Sequence, residues 1–385
     1  MTNFDTIINR KGTGCFKYDG LQMMYQKEEL LPLWVADMDF AVSEAIQRAL
    51  AKRLQHPIFG YNFRTSDFSA AIEHWQKSQY DWDISAYKIV TTPSLMTALA
   101  ICVLSLTDQG DKILIQTPVY PPFHAIVKEH SRQLLKNPLI NKDGKYEIDW
   151  EDFAEKAAQA KLFVLCNPHN PVGKVFSPAE LQRMSEICTQ NDVLIFSDEI
   201  HADIVYPPLK HHSIASIQSS GVITGVSPAK SFNLAGLATA IMIIKDEALF
   251  QKVNELNNSM HTFMGNTFGI TALIAAYTES ADWLKALKAY LQENRDLLAN
   301  YLAKELPRVK MSPCEGTYLA WLDFRDYALS DEELMSVMRD QAGLALNAGN
   351  TFGDEGSGFM RLNFACPRSV LQKALAKIKA AMETV

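Results

Sequence analysis

Three consecutive stretches decide the fold: Lys161-Leu-Phe-Val-Leu-Cys166, Pro178-Ala-Glu-Leu-Gln-Arg-Met-Ser-Glu-Ile-Cys-Thr-Gln-Asn191 and Val193-Leu-Ile-Phe-Ser-Asp198. The first and third are short, continuous apolar runs, as a strand buried on both faces requires. The middle one is amphipathic at helical spacing and carries proline near its start. Strand, helix, strand in this order is the crossover unit of a parallel sheet. Outward from it, β-rich runs recur at Lys88–Thr92, Lys112–Thr117, Val222–Ser227 and Ala240–Lys245, with another helical stretch at Met96–Leu106. The class is therefore α/β, with a mainly parallel sheet covered by helices on both faces. In such sheets a ligand sits beyond the carboxyl ends of the strands, and the chain's notable polar residues gather at those ends.

The last hundred residues differ in texture. A long helical stretch, Ala281–Glu305, leads into Thr317–Asp323, a further helix, a Gly-rich loop, the strand Phe359–Phe364 and a final helix. This pattern predicts a smaller α+β domain, with the loop-rich N-terminal segment set against it. The expected division is 1–45 for that segment, 46–285 for the large domain and 286–385 for the small one. No tandem repeat, low-complexity tract or long linker interrupts the chain.

Hydrophobic residues make up 48% of the 385 and charged residues 21%, the balance of a soluble globular protein. The net charge of −7, with signs interspersed, argues against nucleic acid or an anionic membrane as partner. The six cysteines form no C-x-x-C pair and no Cys/His cluster with metal-ligand spacing, so they read as free thiols in a reducing compartment. The opening Met1-Thr-Asn-Phe-Asp5 has neither the basic region nor the apolar core of a signal peptide. The longest apolar stretch, Leu234 to Ile244, is far shorter than the roughly 20 residues that span a bilayer. A cytoplasmic location is expected.

Four features carry chemistry when taken together. Cys166-Asn-Pro-His-Asn170-Pro-Val-Gly173 follows a strand, its prolines demanding extended backbone before them and Gly173 permitting a tight turn. Asn-Pro alone more often marks a plain turn. In Ile195-Phe-Ser-Asp198-Glu-Ile-His201 an apolar strand runs into a carboxylate, which needs a partner once buried. An arginine or helix N-terminus would serve, as would the protonated nitrogen of a heterocyclic cofactor. Lys230, in Val226-Ser227-Pro-Ala-Lys230-Ser-Phe-Asn-Leu-Ala-Gly236, has apolar sequence close on both sides. A lone lysine is usually a solvated surface charge, but desolvation here would lower its pKa and suit Schiff-base chemistry. Thr91-Thr-Pro93-Ser94-Leu95-Met96 leads into a helix start, where the Ser94 hydroxyl and the N–H groups of Ser94, Leu95 and Met96 could cradle a phosphate. Each feature alone favours its bland meaning. Their succession at strand ends favours a site that grips a phosphorylated ring.

These motifs resemble the class I/II aminotransferase superfamily of fold-type I pyridoxal phosphate enzymes. Leu31-Pro-Leu-Trp-Val-Ala-Asp-Met-Asp-Phe40, His56-Pro-Ile-Phe-Gly-Tyr61 and Arg361-Leu-Asn-Phe-Ala-Cys-Pro-Arg368 are similar to its branch of cystathionine β-lyases and related carbon–sulfur lyases. The likeness runs from about Asn9 to Arg368. It implies a seven-stranded sheet and pyridoxal 5′-phosphate as cofactor, held covalently by Lys230, which also shuttles protons. It further implies Asp198 on the pyridine nitrogen, Asn170 on the phenolic oxygen, and Tyr120 on the ring face. Ser94, Leu95, Met96 and Ser227 would hold the phosphate, with Tyr61 reaching in from the second subunit of a homodimer. Arg361 would clamp the substrate carboxylate.

Four positions depart from the pattern. His201 replaces a common tyrosine at the ring, and Ala238 replaces a phosphate-binding arginine eight residues after the lysine. Cys15 and Tyr18 stand where the branch has Ser and Trp, which leaves fine substrate preference open. The implied reaction is α,β-elimination of L-cystathionine, and of L-cysteine, to thiol, pyruvate and ammonia. An aminotransferase shares the early steps, and the residues alone do not separate the two. A cofactor-binding regulatory protein would be expected to lose Lys230, Asp198 or Arg361, and all three are present.

Overall fold

The six apolar runs of the large sheet form strands whose ends lie within one residue of the expected positions. The computed structural model describes residues 3–385; Met1 and Thr2, which begin the stretch read as lacking a secretory leader, lie outside the described residues. Seven strands make the large sheet: β1 (Lys88–Thr92), β2 (Lys112–Thr117), β3 (Gln133–Pro138), β4 (Leu162–Cys166), β5 (Leu194–Asp198), β6 (Val222–Val226) and β7 (Ala240–Ile244). Their order is β1-β7-β6-β5-β4-β2-β3. All neighbours are parallel except β7, which runs antiparallel to both β1 and β6.

The helices of eight residues or more are α1 (Glu44–Leu54), α2 (Ser66–Tyr80), α3 (Leu95–Leu106), α4 (Pro121–Glu129), α5 (Trp150–Ala157), α6 (Pro178–Gln190), α7 (Glu247–Ser259), α8 (Thr267–Glu279), α9 (Ala281–Glu305) and α10 (Arg368–Met382). Alternate residues of each central strand feed opposite layers. Ile113, Ile115, Leu162 and Val164 meet α3, α4 and α7 in one cluster. Leu114, Phe163, Leu165 and Ile195 meet α2, α5, α6 and α8 in the other. Burial on both faces explains why these strands are apolar without alternation. The start of α6 is fixed by a capping box: Ser177 Oγ accepts from Glu180 N, the Glu180 carboxylate accepts from Ser177 N, and Pro178 stands at the first helical position.

A second sheet, β8 (Lys310–Met311), β9 (Leu319–Asp323), β10 (Asn347–Ala348) and β11 (Phe359–Asn363), is antiparallel in the order β8-β9-β11-β10. The N-terminal segment runs beside it: Leu31–Pro32 pairs with Leu344–Ala345, and Asn363 N donates to Leu33 O at 2.9 Å. A partly buried cluster of four charges anchors that segment. Asp39 accepts from Arg10 at 2.6 Å and from the fully buried Lys17 at 2.8 Å, while Arg10 also pairs with Asp37 at 2.6 Å. Two cations against two carboxylates leave the cluster neutral, which is what burial requires. Among the described residues no helix is long and apolar enough to cross a membrane.

Candidate active site

The strands deliver their polar termini to one pocket. Ser94, Leu95, Met96, Tyr120, Asn170, Asp198, His201, Ser227 and Lys230 all line it, together with Ala36, Cys166 and Thr239. Two of the expected residues do not. Arg361 lies just behind, reaching the pocket through Asn170. Tyr61 is 93% exposed and does not line the pocket of its own chain.

Asp198 ends β5 opposite Cys166 of β4 and is 4% exposed. Its carboxylate accepts one hydrogen bond, from Ile200 N at 3.1 Å. Burial pushes its pKa up to about 7, with that backbone bond and the positive charge of Lys230 opposing the shift. The next residue, Glu199, is equally buried but turns away, accepting from Ser197 Oγ at 2.9 Å, Ser213 Oγ at 3.0 Å and His211 Nε2 at 2.8 Å. The carboxylate left short of donors is the one that faces the pocket.

Lys230 sits in the single helical turn Pro228–Ser231 on the β6–β7 connection. Its Nζ donates to Ala36 O at 2.6 Å. Burial, and then the nearby Arg361 charge, lower its pKa to about 8, against the pull of Asp37 and Asp198. Ser227 caps this turn, accepting from Ala229 N at 3.1 Å and donating to Thr239 O at 2.7 Å.

At the start of α3, Ser94 Oγ accepts from Thr97 N at 3.1 Å, which leaves the first-turn N–H groups of Leu95 and Met96 without intrahelical acceptors. Gly225 lets this helix start approach the sheet: a Cβ there would meet Leu95 Cδ2 at 3.0 Å. The helix-terminal N–H groups and the Ser227 turn offer an anion site with no side-chain cation, since Ala238 occupies the position of the absent arginine.

The Asn-Pro-rich loop does what its composition suggests, although only one of its two asparagines serves the pocket. Asn167 is structural, accepting from Phe176 N at 3.2 Å and donating to His212 O at 3.3 Å. Asn170 Oδ1 accepts from Arg361 Nη1 at 3.0 Å. Gly173, at φ +75°, completes the turn, and its carbonyl accepts from Glu315 N and Gly316 N at 2.9 Å. Both Asn–Pro bonds are cis. Arg361 is buried; its Nη2 donates to Trp34 O at 2.8 Å and to Asn347 Oδ1 at 2.7 Å, and its Nε has no partner. Desolvation lowers its pKa to about 10. His201 is buried with Nδ1 unpartnered, and burial beside Lys230 and Arg361 holds its pKa well down, so the ring is neutral.

A cofactor with a phosphate, a cationic ring nitrogen and a carbonyl carbon fits this set. The phosphate has free N–H groups, the ring nitrogen has an under-satisfied carboxylate, and the carbonyl has an amine of lowered pKa. Cys15 and Tyr18 do not line the pocket; Tyr18 instead takes the Arg10 guanidinium over its ring at 5.6 Å. Sequence reasoning missed Ala36 and Tyr318, whose hydroxyl donates to Ala36 O at 3.0 Å. The first acts through its backbone and the second precedes a strand of ordinary core residues, so neither carries a signal of its own.

Comparison with known proteins agrees with this geometry. The profile described as Aminotransferase class I and II matches residues 28–378. The chain belongs to this family. It is 39% identical to cystathionine beta-lyase PatB of Bacillus subtilis over 99% of this chain and 100% of the relative. It is 32% identical to protein MalY of Escherichia coli over the whole of both chains. The structure of the PLP-bound C-S lyase from Staphylococcus hominis superimposes with a TM-score of 0.92 at 36% identity, covering 98% of this chain and 97% of that one.

Proposed function

We propose that this chain is a pyridoxal-phosphate-dependent carbon–sulfur β-lyase that converts L-cystathionine, and also L-cysteine, to thiol, pyruvate and ammonia. The observation that carries the chemistry is the placing of an amine of lowered pKa, Lys230, and an under-satisfied carboxylate, Asp198, in one pocket. Full-length likeness to proteins named as cystathionine and C-S lyases supports elimination over transamination.

When bound, pyridoxal phosphate supplies an electron sink for the pair left on Cα. Lys230 holds the cofactor and then takes the Cα proton, a role its lowered pKa suits near neutrality. Asp198 holds a proton at the ring nitrogen, and Asn170 bonds the phenolic oxygen. Tyr120 and the neutral His201, both lining the pocket, would contact the ring. Leu95 N, Met96 N and the Ser94 hydroxyl would bind the phosphate, joined by the Ser227 hydroxyl once it turns from Thr239 O. Arg361 is held by Trp34 O, Asn170 and Asn347, and would meet the substrate carboxylate by exchanging one of these acceptors for it. With the Cα proton on Lys230, the Cα–Cβ double bond would form as the carbon–sulfur bond breaks and the thiolate leaves, and water would hydrolyse the released enamine to pyruvate and ammonia.

The proposal extends to a cytoplasmic homodimer in which Tyr61 completes the neighbouring subunit's phosphate site. Its near-total exposure in one chain supports that reading, and an active monomer on gel filtration would refute it. The division at 1–45, 46–285 and 286–385 is likewise proposed, supported by two separate sheets and by the N-terminal segment's bonds to the C-terminal strands.

The test is an anaerobic assay of cofactor-loaded protein with L-cystathionine and no keto acid. Equimolar pyruvate and thiol over many turnovers support the lyase. A spectral change to the amine form of the cofactor that a keto acid reverses, without pyruvate, means an aminotransferase.

A further inference from the structure

Tyr318 immediately precedes β9 and is fully buried. Its hydroxyl donates to Ala36 O at 3.0 Å, and Lys230 Nζ donates to the same oxygen at 2.6 Å. Its ring meets His201 edge-on at 5.7 Å. The acceptor itself is fixed, because the flanking carbonyls are held as well. Trp34 O accepts from Arg361, while Val35 O and Asp37 O accept from Asn363 Nδ2 at 2.6 Å. Four consecutive carbonyls are thus tied to side chains from the small sheet and the lysine turn. Ala36 O cannot swing clear of the amine.

We propose that Tyr318 is a positioning residue for Lys230, sharing the Ala36 carbonyl so as to fix where the amine waits and to weaken that carbonyl's hold on the ammonium form. The inference rests on the reading of Lys230 as the reactive amine. A carbonyl serving two donors gives each a weaker bond. An ammonium depends on its acceptor more than a neutral amine does, since charge-assisted bonds are roughly twice as strong. The hydroxyl therefore favours the free base. Burial keeps the Tyr318 phenol protonated, so it donates throughout the working range. The other groups facing Lys230 are Asp198 from β5, His201 just beyond it, Arg361 from β11 and Asp37 from the N-terminal segment. Tyr318→Phe leaves all of them in place.

The experiment pulses the full-length, cofactor-free chain with acetic anhydride across pH and quantifies the Lys230 peptide by mass spectrometry. Tyr318→Phe is expected to raise the midpoint by about half a pH unit, so that labelling near pH 7 falls ~threefold. Tyr206→Phe removes another buried hydroxyl, one that donates to Thr317 O at 2.8 Å, and is expected to leave the midpoint unchanged. An unmoved midpoint in Tyr318→Phe, or equal shifts in both variants, would overturn the proposal. Should Tyr318→Phe not fold, 3-fluorotyrosine incorporated into the wild type strengthens the donor and is expected to lower the midpoint; no lowering overturns the idea. None of these readouts needs turnover, so they fail independently of the lyase assay. Borohydride trapping of pyridoxal phosphate on a lysine other than Lys230 would instead remove the reading beneath it.

Discussion

Asp198 and Glu199 are adjacent and buried, yet Glu199 has three side-chain donors and Asp198 has one backbone donor. Asp198→Asn keeps the shape but cannot hold a proton on a ring nitrogen. Turnover should fall ~100-fold or more while the fold persists, as steady-state kinetics and circular dichroism would show. Arg361→Lys replaces a planar fork, held at three acceptors, by a point charge. KM for cystathionine should rise about tenfold or more, with kcat less affected; an unchanged KM would remove Arg361 from the carboxylate site. At this scale the sequence was informative wherever a polar residue ended an apolar run, as at Asp198, Asn170 and Lys230. It was silent on Ala36, because a backbone carbonyl has no signature in residue type.

Helix and strand limits followed from local chemistry where that chemistry was strong. The α6 start is an example, since Ser177, Pro178 and Glu180 specify it within one turn. Ser177→Ala should destabilise the chain by about 1 kcal/mol in urea unfolding and leave turnover untouched, because the cap lies away from the pocket. The edge strand β3 was not legible. Gln133-Leu-Leu-Lys-Asn-Pro138 is half polar and ends in proline, as an edge strand with one hydrogen-bonded neighbour can be. Nor did the sequence pattern show that β7 would run antiparallel; with the reversal, the connection that carries Lys230 and Ala238 stays at the sheet's ligand-binding end.

Across the whole molecule, the pocket charges tie stability to pH. The folded-state pKa of Asp198 is raised from 3.8 to about 7, so between those values the native chain binds more protons than the unfolded one. Stability of the cofactor-free chain should therefore fall as pH rises through that window, by a ceiling of about 4 kcal/mol. Asp198→Asn should flatten the slope, and denaturant midpoints at pH 5 and pH 7 would check it. An identical slope in the variant would show that Asp198 is not the group responsible. Local chemistry alone specified the α/β class, six of the seven strands of the large sheet and the lysine, aspartate and asparagine of the pocket, because burial and turn chemistry are local and recur with a period. Packing settled which carboxylate is short of donors, that Asn170 bonds Arg361, and that Ala36, within Trp34–Asp37, supplies the acceptor for Lys230. The bonds that hold this arrangement join residues up to 328 positions apart, and only packing sets such distances.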